Sequence, residues 1–361
     1  MLDMLIKAEN IMGVYRNYSF QINNRKTQII RVVLEILITA VLLLYFGTYE
    51  IFLSNVSSTR RFVMFTFHYS NFFSTFTIMI CGIQSSPSYK IFVQNLTAVH
   101  QCFNDGPAKN CGRQFKKIVI TTSVILCLCG ACKFSMGILY KILAQNKIIS
   151  PGLLVLLVTD TCSELRFSIE HVMFYIYISL IHCSLNRLND YVAKLKEYYD
   201  KQEKMECVER KEGNDRLMEE RIEEWATNYM LLVGCSKELS ACFSFQMTLS
   251  LALSCFNANV FPQAKYKYFG VFQTLFVLIF NLYGTYLVLF GGQKLINEAS
   301  KIRTDPTSKS KPIKNLYLLV KANPIKIEYT GRVVQGMYLI PIILSLSISY
   351  IIVTLQFSNY I

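Results

Sequence analysis

The stretch MYLIPIILSLSISYIIVTLQF, residues 337–357, holds no charged residue. It is long enough to cross a bilayer, which takes about 20 mostly apolar residues. At 100° per residue, Ser345, Ser349, Val353 and Gln356 fall within a sector of about 80°, while Thr354 points the other way. The rest of the stretch is mostly Ile and Leu. Gln356 places a polar amide near the end of a lipid-embedded helix, where its groups need partners or water. A narrow polar stripe on such a helix has two explanations. Either it hydrogen-bonds to neighbouring helices, or copies of the helix surround a hydrated axis, with Val353 as an apolar constriction. Pattern alone leaves both open. Pro341 can bend the helix below the stripe.

Working outward, six more segments meet the same length and apolarity test: 29–53, 62–83, 118–143, 151–183, 239–261 and 269–291. The expected fold class is therefore all-α, a seven-transmembrane helical membrane protein. Composition agrees. Apolar residues make up 52% of the chain and charged residues only 17%, against about 25% charge in a soluble domain. A net charge of +13 would suit nucleic acid if it formed one patch. Here the basic residues instead sit in the connections between apolar runs, so no nucleic-acid partner is expected.

Most of the 37 basic residues fall in alternate connections, which puts the N-terminus inside and the C-terminus outside. The bias survives omission of the long fourth connection, where acids outnumber bases. Met1 to Asn24 is polar and lacks the compact apolar stretch of a cleavable signal. Asn55-Val56-Ser57 is a possible glycosylation sequon in the first outer loop, close to the membrane. The twelve cysteines are too scattered to read as a disulfide framework, and the outer loops contain none. Cys129 and Cys132 form a CxxC inside a span, where small residues pack helices more often than they bind metal. Neither cofactor nor metal is expected, and no enzyme constellation appears. His68, His100, His171 and His182 show no ligand spacing, and no glycine-rich phosphate loop is present.

Three parts follow: a cytosolic segment 1–28, a six-helix bundle 29–336 with cytosolic extensions at 184–238 and 292–336, and the last helix with a short outer tail, 337–361. Leu185, Leu188, Val192 and Leu195 recur at helical spacing, so the fourth span continues into the cytosol. Leu217, Trp225, Tyr229 and Leu232 form a similar stripe leading into the fifth. Such helices either pack on each other or form a platform joining subunits. Ser300–Lys314, with Pro306 and Pro312, reads as a basic linker.

Charges inside spans are costly and therefore suspect. The fourth span carries Asp160, Glu164, Arg166 and Glu170. Asp160 lies about 14 Å below the outer end at 1.5 Å per residue. Lys133 in the third span reaches nearly the same depth and can neutralise it. Arg166 and Glu170, four residues apart, can pair along the helix. These pairs either cancel charge within the bundle or leave Asp160 and Glu164 to meet a ligand. His68 and Tyr69 in the second span, and Tyr283, Thr285 and Tyr286 in the sixth, are further candidates for a pocket suited to sugars or aromatic rings.

The ending Ser349-Tyr350, five mostly apolar residues, then Gln356-Phe357 and a short tail resembles the C-terminal signature of insect gustatory receptors, Thr-Tyr, five hydrophobic residues, Gln-Phe. Ser stands where Thr is usual, keeping the hydroxyl, and Thr354 interrupts the hydrophobic five. The architecture is similar over the whole chain, the motif only over its last helix. The resemblance implies a tetrameric ligand-gated cation channel of the plasma membrane, homomeric or built with related receptors. Seventh helices would line the pore, and Gln356 and Phe357 would lie at the gate beside Val353. It further implies an outward-facing pocket in each subunit for a small-molecule tastant, a bitter plant compound or a sugar.

Three other classes compete with this one. A G-protein-coupled receptor needs an external N-terminus, and Asn323-Pro324 falls in an inner connection rather than in the last helix. A transporter needs internal symmetry that the chain lacks. An odorant receptor subunit requiring a co-receptor is separated only weakly.

Overall fold

The structure, a computed structural model, describes residues 73–102, 151–204, 212–260, 268–303, 311–330 and 333–358, with scattered positions within 6–44 and 120–138. The described helices are α1 (Phe73–Gln84), α2 (Ser86–Cys102), α3 (Pro151–Lys204), α4 (Glu212–Val260), α5 (Tyr268–Arg303), α6 (Lys311–Ala322) and α7 (Leu339–Ser358). No strand occurs among the described residues, and one isolated bridge joins Glu328 to Val334.

Helix α3 has 54 residues and α4 has 49, so at 1.5 Å per residue each runs to about 75–80 Å, over twice the bilayer's apolar thickness of about 30 Å. The expected continuation of the fourth and fifth spans into long extensions is thus present. These extensions pack on each other: Tyr191 of α3 stacks on Trp225 of α4, ring centroids 5.9 Å apart, with Leu185, Leu188, Tyr229 and Leu232 fully buried. Helix α2 joins them through Tyr89, Phe92, Leu96 and Val99, all fully buried. Their three- and four-residue spacing forms one stripe, a helix the sequence reading leaves unassigned.

The expected linker 300–314 is shorter than its composition suggests. Helix α5 runs to Arg303 and α6 starts at Lys311, with Pro312 in the first turn, where its missing N–H leaves no intrahelical bond unmade. Cys183 is disulfide-bonded, a bridge the scattered cysteines do not announce.

Between α6 and α7 the chain folds back over α4 and α5. The Tyr229 hydroxyl donates to Asn323 O at 2.8 Å, and Glu328 N donates to Ser240 Oγ at 3.1 Å. Buried Ile325 and Ile327 extend the core of the extensions to the base of the last helix.

Candidate functional site

Two places concentrate unusual chemistry. The first is α7. Leu339 and Ile343 are buried, and α7 packs against α4. Ser345 and Ser349 are exposed, and so are Ile342, Ile348 and Ile352, each about half accessible. The buried positions lie more than 100° around the helix from Ser345. The described part of the stripe therefore points away from the chain's own bundle. Val353, Gln356 and Phe357 lie within α7, and their side chains are outside the described residues.

The second is a buried charge cluster, built from a tight turn near the N-terminus. Gly13 takes φ 76°, with Gly13 N donating to Asn10 O at 3.2 Å and Val14 N to Glu9 O at 2.9 Å. A Cβ there would sit 2.5 Å from Glu35 Oε2, the end of a side chain that can shift, so it is the backbone conformation that favours glycine. The turn brings Glu9 beside Arg16, whose Nη1 donates to Glu9 Oε1 at 2.6 Å. Arg16 Nη2 donates to Glu170 Oε2 of α3 and, at 2.6 Å, to Gln246 Oε1 of α4. Gln246 in turn donates to Ile78 O of α1 at 3.2 Å. The guanidinium lies 3.8 Å over the ring of Phe243, a cation–π contact strengthened by the loss of water.

The expected pairing of Arg166 with Glu170 is corrected here: the hydrogen bond to Glu170 comes from Arg16. Arg166 Nη1 turns to the Met79 sulfur at 3.5 Å. An i,i+4 pair is a modest surface interaction, whereas Arg16 arrives through a folded turn that excludes water. Beside Glu170, together with Ser74, His171, Gln246 and Met247, lies a cavity of about 10 Å³, room for one water.

The candidate ligand residues are dispersed. Thr285 is buried with Oγ1 unpartnered, while Tyr283 and Tyr286 are exposed on the other side of α5, Tyr286 stacking on Phe290 at 5.7 Å. Asp160 and Glu164 lie on α3, with side chains outside the described residues. His68, Tyr69, Lys133 and Asn55 fall outside the described residues altogether. Sequence reasoning missed Glu9, Arg16 and Gln246. The usable signal was Gln246, a bulky amide within an apolar span, which requires a buried polar partner.

Among the described residues one stretch, Ser168–Tyr198, is long and apolar enough to cross a membrane, and the helix that carries it, α3, overruns a bilayer's apolar thickness. The chain belongs to the 7tm chemosensory receptor family, whose model matches residues 14–361. It is a receptor family, not an enzyme family. The fold is similar to that of the insect olfactory receptor OR5 from Machilis hrabei, at 10% identity and a TM-score of 0.56, covering 98% of each chain. The same receptor in complex with eugenol is similar at 11% identity and a TM-score of 0.49, again covering 98% of each chain. No curated protein matches the sequence.

Proposed function

We propose that this chain is a gustatory-type receptor: a ligand-gated, non-selective cation channel opened by a small extracellular tastant, more in keeping with a bitter plant compound than with a sugar. One observation carries the channel reading. Ser345 and Ser349 face out of the subunit, while Leu339 and Ile343 on the other side of α7 are buried, with α7 packed on α4. A polar stripe turned away from its own bundle must meet lipid, a partner or water, and lipid is the unfavourable choice. Four subunits, identical or mixed with related receptors, would place the stripe on a central axis in the plasma membrane of a sensory neuron. Val353, Gln356 and Phe357 then form the gate. Binding in an outer pocket that includes Asp160 and Glu164 shifts the population toward a state with the α7 helices apart, which requires tighter ligand binding to that state.

The test is excised-patch recording from cells expressing only this chain, in nucleotide-free solution, with a tastant panel. Gln356→Lys and Gln356→Ala should alter conductance or ion selectivity, and Ser345→Cys should make the current sensitive to a thiol reagent. Currents with permeation unchanged in all three variants would remove α7 from the pore. Currents seen only with a second subunit would favour the odorant-type reading.

A further inference from the structure

We propose that Glu9, Arg16 and Glu170 form a one-proton site that fastens the N-terminal segment to the bundle and loosens it as the cytosolic side goes from acidic toward neutral. This inference stands apart from the channel reading, since it concerns how the segment attaches and not what the receptor conducts.

The argument begins with charge. Glu9, Arg16 and Glu170 are each at most 1% exposed, and they comprise two carboxylates for one guanidinium. With both acids ionised, one negative charge would be sealed away from water without a counterpart, which costs far more than taking up a proton. Hydrogen bonding does not remove the excess. Arg16 gives one N–H to each acid, and Glu170 Oε1 is buried without a hydrogen-bond partner. Arg166, which feels both Glu35 and Glu170, and Glu35 add one charge of each sign to the neighbourhood and leave the excess of one negative charge in place.

Glu9 is the acid on the segment that can leave. Facing it are Arg16 on its own segment, Tyr89 of α2, Glu170 and Tyr177 of α3, and Cys242 of α4. Burial, opposed by Arg16 and reinforced by Glu170, pushes its carboxyl up to about 7. In a released, solvated segment it returns to the ordinary 4.5. The attached state therefore holds more protons between these values, so attachment is strongest below 4.5 and the proton's contribution is lost as pH rises through about 7.

Hydrogen exchange on the full chain in lipid nanodiscs reads this directly. Protection of the Val14 amide, bonded to Glu9 O, should fall about tenfold per pH unit between 5 and 7 after correction for intrinsic rates, as linkage to one proton requires. In Glu9→Gln, whose amide stands in for the protonated acid, protection should be independent of pH. Flat protection in wild type, or an unchanged slope in Glu9→Gln, overturns the proposal. Should Glu9→Gln fail to fold, infrared spectra of the wild type decide. Loss of a protonated-carboxyl stretch between pH 6 and pH 8 supports the site, and no such loss overturns it.

Discussion

Arg16 and Glu170, 154 residues apart in the chain, form an ion pair from which water is excluded on both sides. Because the same guanidinium also binds Glu9 and Gln246, it ties the N-terminal segment to α3 and α4 at once. A partner that satisfies three buried acceptors is worth most when it is missing.

Arg16→Met should therefore destabilise the protein by about 3–5 kcal/mol, the usual cost of stranding a buried charge. Glu170→Gln should cost less, because the amide oxygen still accepts from Arg16 and the excess negative charge is gone. Thermal unfolding in detergent checks the order, and equal losses in the two variants would contradict it.

This cluster marks where the sequence stopped being legible. Span 151–183 could be read because length and apolarity are local properties, and Pro151 sits where a helix can start. The α3 and α4 extensions could be read because Leu185, Leu188 and Leu195, like Tyr229 and Leu232, repeat with the helical period. The contact of Arg16 with Glu170 has no period. It depends on a left-handed turn at Gly13 and on three helices converging, none of which a local window contains. Helix α2 is a different case, since the stripe of Tyr89, Phe92, Leu96 and Val99 is written plainly within a connection that otherwise looks polar. The outward direction of Ser345 and Ser349 was not legible either. Periodicity groups residues on one face, but only packing says which way that face turns.

The Tyr89 and Tyr177 hydroxyls lie 2.5 Å apart, both rings buried and in edge contact with Phe92 or with each other. Tyr177→Phe alone leaves Tyr89 short of this partner and should cost about 1–3 kcal/mol. Replacing both hydroxyls removes their mutual demand as well as their bond, while the hydrogen bond of Tyr177 to Glu9 is lost alike in the Tyr177 single and the double variant. The double variant should thus lose clearly less than the sum of the two singles, and strict additivity in a thermal-unfolding cycle would show that the hydroxyls do not interact.

Gly292 of α5 meets the base of the last helix. A Cβ there would sit 2.9 Å from Gln335 Cγ and 3.0 Å from the Gln335 carbonyl oxygen. Gln335 is fully buried and donates to Val288 O, while Met337 N donates to Gln293 Oε1 at 3.3 Å. Backbone on one side cannot yield as a flexible side-chain end can. Gly292→Ala should cost about 1–3 kcal/mol, and because it pries the α5 extension from the root of α7, it should also shift the ligand concentration for half-maximal current. A variant unchanged in both stability and dose response would show that this junction is slack.

Glu298, on the α5 extension, is bound from two helices: Asn189 Nδ2 of α3 donates to its Oε1 at 2.7 Å, and Lys301 donates to its Oε2 at 2.8 Å. His182 Nε2 lies 3.8 Å away, and Lys294 adds positive charge near that histidine. Burial alone would raise the carboxyl, but the hydrogen bonds from Lys301 and Asn189 and the charges of Lys301 and His182 outweigh it and hold the group below its ordinary 4.5. A depressed acid stabilises the fold above its unfolded value, and that contribution disappears as pH falls through the folded one. Wild type should therefore be more stable than Glu298→Gln at pH 7, and the gap should close as pH falls below 4.5 toward 3. Melting curves of both proteins across that range provide the check. A gap that stays constant would mean that Asn189 and Lys301 bind the amide as well as the carboxylate, leaving the charge of Glu298 without effect on the joint between α3 and α5.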